Sequence, residues 1–216
     1  MLKCSGAGQV PHCTILLAAI TKSEIGMNLR LGLLFLVVAS STSAVSAERP
    51  IDVAHSTIRI HVGKAGMFSV AGHEHWVAAP IAEGKMQEAT PASISFRVEA
   101  AKLKVEEDKT LSADKQAEVQ RTMQTQVLES EKFPEITFQS TSVQQSGAEA
   151  WQVRGDLTLH GQTHPLTTTV HKQQDKYVGR CELKQTDFGI QPVRVGGGVV
   201  KVKDQLEIEF SILSGQ

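Results

Sequence analysis

WQVRGDLTLH, residues 151–160, decides the fold. Trp151, Val153, Gly155, Leu157 and Leu159 fall on one side of an extended chain, and Gln152, Arg154, Asp156, Thr158 and His160 on the other. Successive side chains of a strand point to opposite faces, so a period of two sustained this long marks a strand with one buried face. A helix, with its 3.6-residue period, would scatter the same residues around its axis.

The alternation recurs to either side. Ile58, Ile60 and Val62 oppose Arg59 and His61; Ile94, Phe96 and Val98 oppose Ser95, Arg97 and Glu99; Leu166, Thr168 and Val170 oppose Thr167, Thr169 and His171. Tyr177 to Gln185 turns Cys181 and Leu183 inward. VVKVKDQLEIEFSIL (199–213) turns Val200, Val202, Leu206, Ile208, Phe210 and Ile212 inward against Lys201, Lys203, Glu207 and Glu209. With residues 74–88 and ITFQSTSV (136–143), eight strands are expected. Turn chemistry separates them: QSGAE precedes Trp151, and HGQTHP and QQDK read as hairpin links.

One segment departs from the pattern. SADKQAEVQRTMQTQVLES (112–130) is rich in helix formers, and Val119, Met123 and Val127 recur at spacing four, the mark of an amphipathic helix lying across something apolar. Ser112 with Lys115 makes no capping box. Antiparallel strands in chain order stack as a sandwich or close as a barrel, and periodicity alone leaves both open.

The N-terminal stretch reads differently. MNLRLGLLFLVVASSTSAVSA (27–47) has one early charge at Arg30, an apolar run from Leu31 to Ala39 and small residues up to Ala47, the layout of a secretory signal peptide. Residues 1–47 are therefore expected to be an extension plus a cleaved signal, with Met27 as the true start. A membrane anchor over the same residues is the other reading. Cleavage after Ala47 leaves residues 48–216 as one domain, large enough to bury a core. Cys4 and Cys13 go with the leader, so Cys181 stands alone and no internal disulfide forms. Removing Lys3, Lys22, Arg30 and Glu24 turns 22 basic and 23 acidic residues into 19 and 22, a net charge of −3. Without a basic run, a nucleic-acid partner is not expected.

AGHEHWV (71–77) is the stretch closest to site chemistry. In an extended chain His73 and His75 share a face, with Glu74 and Trp76 on the other. Two imidazoles at i and i+2 reach one metal ion, but a site needs three or four ligands, and no glutamate follows at the spacing of a metal-binding barrel strand: those positions are Ala79 and Pro80. A polar rim meeting a ligand head group and a pair of surface histidines are the other readings. His160 and His171 fall on the outer face and read as solvated; Cys181 reads as a small buried hydrophobe. Nothing assembles a catalytic set. His55 and Ser56 are adjacent and point apart, no nucleophile elbow or H-E-x-x-H occurs, and the glycines at 196–198 precede no helix. Glu106, Glu107 and Asp108 read as a solvated loop.

Five stretches in order resemble the YceI-like family: IDVAHSTIRIHV (51–62), VLESEKFPEITFQSTSV (127–143), VRGDLTLHGQTHPLTTTV (153–170), KQTDFGI (184–190) and VKVKDQLEIEFSI (200–212). The ordered set carries the resemblance from Ile51 to Ile212. Two stretches depart from the family's pattern: GKAGMF (63–68) places Lys64 where that pattern has a histidine, an apolar residue and glycine, and the next strand begins AGHEHWV. The ligand's polar end is expected to differ accordingly.

The resemblance implies an all-β fold over residues 48–216, an antiparallel eight-stranded lipocalin-like barrel with one short helix. It also implies an exported, periplasmic, non-enzymatic protein that holds a long amphipathic lipid, polyisoprenoid or quinone-like, with no cofactor beyond that isoprenoid guest. A membrane-associated donor or acceptor is the expected partner, since relatives are linked to quinone and isoprenoid biology and to membrane b-type cytochromes. Given a barrel, inward Ile58, Ile60, Phe96, Val98, Phe138, Leu157, Leu159, Leu166, Val170 and Phe210 would line an apolar tube, with Met123 on a helix across one end. His55, Lys64, His73 and His75 are the expected polar groups at the mouth. Metal binding through His73 and His75 is the alternative function.

Overall fold

A computed structural model describes residues 47–65, 74–195 and 200–216. Twelve strand segments occur among them: β1 Arg49–Pro50, β2 Thr57–Ala65, β3 His75–Ala78, β4 Ile81–Gln87, β5 Ser93–Glu99, β6 Lys104–Val105, β7 Glu135–Gly147, β8 Ala150–Leu159, β9 Gln162–Gln173, β10 Lys176–Lys184, β11 Arg194–Val195 and β12 Val200–Leu213. One helix, α1 (Ala113–Thr122), runs on into a wider π turn over Met123–Val127.

The strands form a single antiparallel sheet in the order β1-β4-β5-β7-β8-β9-β10-β12-β2-β3-β6, with β11 added on β12. Near one end of that order lies β4 and near the other β3, yet only Ala79 and Pro80 separate them in the chain. The sheet therefore curls into a barrel, and one run of chain, 75–87, crosses its seam. Counting β3 and β4 as that one run gives eight long walls; β1, β6 and β11 are two-residue additions. The single strand expected over 74–88 is thus corrected to two. Pro80 donates no hydrogen bond, so the ladder with β2 stops there and the chain bends to pair with β5.

Local chemistry explains the register. In the two-residue turn between β8 and β9, His160 and Gly161 both take positive φ, 52° and 72°, the backbone twist that a tight hairpin needs. A Cβ on Gly161 would also lie 2.8 Å from the Phe133 ring. On β8, Gly155 faces inward beneath Phe138 of β7, where a Cβ would meet Cζ at 2.4 Å, and this room lets Phe138 stack on Phe96 with ring centroids 5.5 Å apart. In β12 the register shifts between Val202 and Leu206, lifting Asp204 out of the inward row. Its carboxylate accepts from Thr186 N at 2.9 Å and Thr186 Oγ1 at 2.7 Å, which holds it below the usual carboxylate range.

Ser112 caps α1 by accepting from Lys115 N at 3.4 Å, without the reciprocal bond of a capping box. Val119, Met123 and Val127 pack against the barrel core. On the adjacent face, Gln116, Gln120 and Gln124 bond the backbone of residues 100–108. Gln120 Oε1 accepts from Val105 N at 2.8 Å while its Nε2 donates to Leu103 O at 2.9 Å, completing the free edge of β6 as a neighbouring strand would. Gln116 does the same for Asp108 N and Glu106 O, and Gln124 donates to Ala100 O and Leu103 O.

His160 corrects a second expectation. Alternation along β8 ends at the turn, and its positive φ swings the ring inward to 13% exposure, not out into solvent. Nε2 lies 2.7 Å from Glu129 Oε2 and Nδ1 3.3 Å from Phe188 O, tying three loops together. His171 is exposed.

Candidate functional site

The barrel encloses a cavity of about 900 Å³ whose walls come from every long strand and from α1. Ile58 and Ile60 reach it from β2, Phe96 and Val98 from β5, Phe138 from β7, Leu157 and Leu159 from β8, Leu166 and Val170 from β9, Phe210 from β12, and Met123 from the helix. These side chains share a surface because each sits in the inward row of its strand and the pairing keeps rows aligned: Ile60 lies opposite Ile208, Ile58 opposite Phe210, and Phe138 opposite both Phe96 and Leu157. Small partners leave the centre empty. Cys181 contributes a thiol where a longer side chain would fill the tube. Burial, followed by the charge of Glu182, pushes that thiol up to about 11, so it stays protonated and behaves as an apolar group.

The two ends of the cavity differ. Lys64, His75, Lys115, Glu118, Gln185, Arg194 and Lys201 line the end crossed by α1. Gln185 is buried there and donates to Lys203 O at 2.8 Å. At the far end Glu88, Ser93, Trp151 and Tyr177 line the cavity. Trp151 and Tyr177 meet edge to face at 5.6 Å, and Lys172 Nζ stands 5.3 Å from the Tyr177 ring. Burial first, then the charge of Glu88, raises the Tyr177 phenol above its ordinary value.

The expected polar mouth does not form as one set. His55 lies outside the cavity, exposed, with Nδ1 2.8 Å from Asp52 Oδ2 and its carbonyl accepting from Lys176. It lies in the turn before β2, and the extended chain from Thr57 to Lys64 spans roughly 23 Å at the rise of a strand, so the two belong to opposite ends. His73 lies outside the described residues. His75 does line the cavity at the α1 end. No group of three His, Cys, Asp or Glu side chains able to hold a metal forms among the described residues.

Trp76, next to His75, points to the outer surface. It is stacked between the Arg59 guanidinium, 4.4 Å from its ring, and His61, 4.8 Å away. Arg59 also donates to both oxygens of Glu106, at 2.7 and 2.5 Å, and holds that carboxyl below its usual range. This stack clamps β2, β3 and the segment after β6, and so fixes which way His75 faces. Tyr177 and Gln185 were legible as members of the inward row of β10 and its extension but were not assigned to the site. Arg194 and Lys201 carried no such signal, because the pairing of β11 with β12 places them.

Comparison with known proteins matches a YceI-like domain over residues 50–213. A UPF0312 protein of Shewanella denitrificans is 28% identical over 188 residues, covering 78% of this chain and 89% of the relative. A UPF0312 protein of Vibrio cholerae serotype O1 (strain M66-2) is 34% identical over 92 residues, 38% of this chain; the match spans 47% of that relative's length. Among solved structures, BcnA of Burkholderia cenocepacia superposes with a TM-score of 0.57 at 16% identity, over 76% of this chain and 99% of that one. A polyisoprenoid-binding domain from Saccharophagus degradans superposes with a TM-score of 0.54 at 10% identity, over 78% and 97%. Both similarities concern the fold.

Proposed function

The chain belongs to the YceI-like family, and from that premise we propose that it is an exported, non-enzymatic carrier holding a long amphipathic lipid, polyisoprenoid or quinone-like, inside its barrel. The observation that carries the reading is the hollow of about 900 Å³ with apolar walls, within the size range of small-molecule sites. Each methylene moved from water to such a wall contributes about 0.8 kcal/mol, so ten contribute roughly 8 kcal/mol before the cost of ordering the tail. That gross figure corresponds to about micromolar binding. The walls supply affinity without direction; the polar residues at the ends orient the guest.

A protein of this kind takes its cargo from one membrane-associated donor and yields it to an acceptor, with export placing it in the periplasm. Its residues bind the tail and exclude water. The polyisoprenoid named for the Saccharophagus domain supports the choice of tail.

The test is native mass spectrometry of gently purified protein, followed by solvent extraction. One equivalent of a long apolar lipid is expected. A Trp76→Phe variant leaves Trp151, which lines the cavity, as the fluorophore, and its emission should shift when a prenyl alcohol is added to delipidated protein. Protein that carries no lipid and gives no shift with prenyl alcohols or quinones overturns the reading.

A further inference from the structure

We infer that Gln185 selects the guest's head group, and that the head it takes is one that donates a hydrogen bond: a hydroxyl, as on a prenyl alcohol or a reduced quinone, in preference to a phosphate or an oxidised quinone. Among the described residues two polar side chains are as deeply buried as the core, Ser56 at 7% exposure and Gln185 at 4%. Ser56 has a structural task, since its Oγ accepts from Leu213 N at 2.9 Å, and it lies outside the cavity wall. Gln185 lines the cavity. It continues the inward row of β10 beyond Cys181 and Leu183, which line the same wall.

One side of this amide is engaged and the other is not. The register shift in β12 between Val202 and Leu206 takes Lys203 out of the ladder with β2, and Gln185 Nε2 donates to the Lys203 carbonyl at 2.8 Å. A carbonyl only accepts, so this bond turns the NH2 group toward β12 and leaves the amide oxygen Oε1 on the other side. The backbone is clamped as well: Ile190 N donates to Gln185 O at 3.1 Å, and Thr186 donates twice to Asp204. Oε1 accepts from no donor among the described residues, and it opens onto the hollow. The wall beside it is apolar, with Leu183 two residues back in the row, Leu206 paired to Leu183, and Ile190 bonded to the Gln185 carbonyl.

An acceptor without a donor in an apolar wall forfeits the bond it made to water, and a guest that brings the donor restores it. A hydroxyl does so. A phosphate ester, ionised at neutral pH, and a quinone carbonyl carry acceptors alone and set lone pairs against lone pairs. An ammonium group donates too, but stripping its water costs more than one amide oxygen returns. Charge at this end does not make the choice, because both signs are present: Lys115 stands 2.9 Å from Glu118, and the Asp204 carboxylate stays ionised beside the turn that carries Gln185. This selection presupposes the carrier reading and adds to it the chemistry of the head and the residue that reads it.

The experiment compares geranylgeraniol with its methyl ether on the delipidated full chain carrying Trp76→Phe, read by the emission of Trp151. The ether keeps the tail and the oxygen but lacks the donor. By burial alone the ether, one methyl larger, would bind more tightly; the alcohol should instead bind roughly tenfold more tightly. This comparison of guests needs no change at Gln185. Gln185→Leu should abolish the preference. So should Gln185→Arg, which still offers Lys203 O a donor and so guards against loss of the fold; it should also raise the affinity for geranylgeranyl phosphate relative to the alcohol. Three results overturn selection by Gln185 while leaving the carrier reading in place: alcohol and ether bound equally, a preference that survives in both variants, or geranylgeranyl phosphate bound more tightly than the alcohol when Gln185 is present. If none of the three guests binds, the carrier reading itself fails and the selection falls with it.

Discussion

The barrel wall and the helix that crosses its end are held by different physics. Wall strands are held by continuous ladders and by apolar side chains turned toward one hollow. The helix adds Val119, Met123 and Val127 to that hollow, but its position is fixed by three glutamines that bond backbone groups of residues 100–108. A wall built on burial fails cooperatively, because moving one strand exposes its neighbours. A helix held by amide bonds at one edge can be loosened alone. The difference predicts two levels of stability in one domain.

The sharpest way to break the comparison is through the wall. Gly155→Val places a side chain where even a Cβ would lie 2.4 Å from Phe138 Cζ and 2.6 Å from the Gln139 carbonyl oxygen. A loss of roughly 3 kcal/mol is expected in urea unfolding, with the whole transition shifted. A change under about 1 kcal/mol would mean the wall yields locally, as the helix is expected to.

Next in size is the cavity thiol. Cys181 ionises near 9.0 when unfolded and at about 11 in the barrel, so the folded state holds its proton where the unfolded state has lost it. The stabilisation is full below pH 9 and falls away as pH rises toward 11, by up to about 2 kcal/mol. Wild type minus Cys181→Ala stability, measured across that range, should show the decline.

Gln120→Ala should cost about 1 kcal/mol, since Val105 N loses its acceptor. Amide exchange should quicken over 113–127 and stay unchanged in β8 and β9. Equal quickening in both regions would show that wall and helix open as one unit.

The smallest effect belongs to the outer stack. Glu106 is held below its usual range by Arg59, so its contribution is present above the ordinary carboxylate value of 4.5 and disappears as pH falls through the lowered one. The pair is partly exposed, so Glu106→Gln should cost under about 1 kcal/mol near neutral pH and nothing in acid, by thermal unfolding at both.

Legibility followed the same division. Strand rows were readable wherever one face met the hollow: Trp151 to Leu159 alternates without a break, and Ile58, Ile60, Phe96, Val98, Phe138, Leu157, Leu159, Leu166, Val170 and Phe210 line the cavity. Alternation ceased to inform where the backbone left the pleat. At Ala79–Pro80 the strand changes partner, at His160 a positive φ turns the ring inward, and between Val202 and Leu206 the register shifts. The glutamine contacts of the helix were hidden for another reason. Nothing in the residue types of Gln116, Gln120 and Gln124 marks them, and only the strand edge beside them gives them a task. His55 was misplaced because strand length, not residue type, decides which end of a tube a side chain reaches.

The short segments that finish the sheet have a consequence for crowded conditions. An unpaired strand edge invites another chain to extend it. Here β1 and β6, two residues each, stand outermost in the sheet order, and the former carries Pro50, which offers no N–H. Molecules meeting at high concentration would find, among the described residues, no long row of free backbone groups at either terminus of the sheet on which to nucleate a fibril.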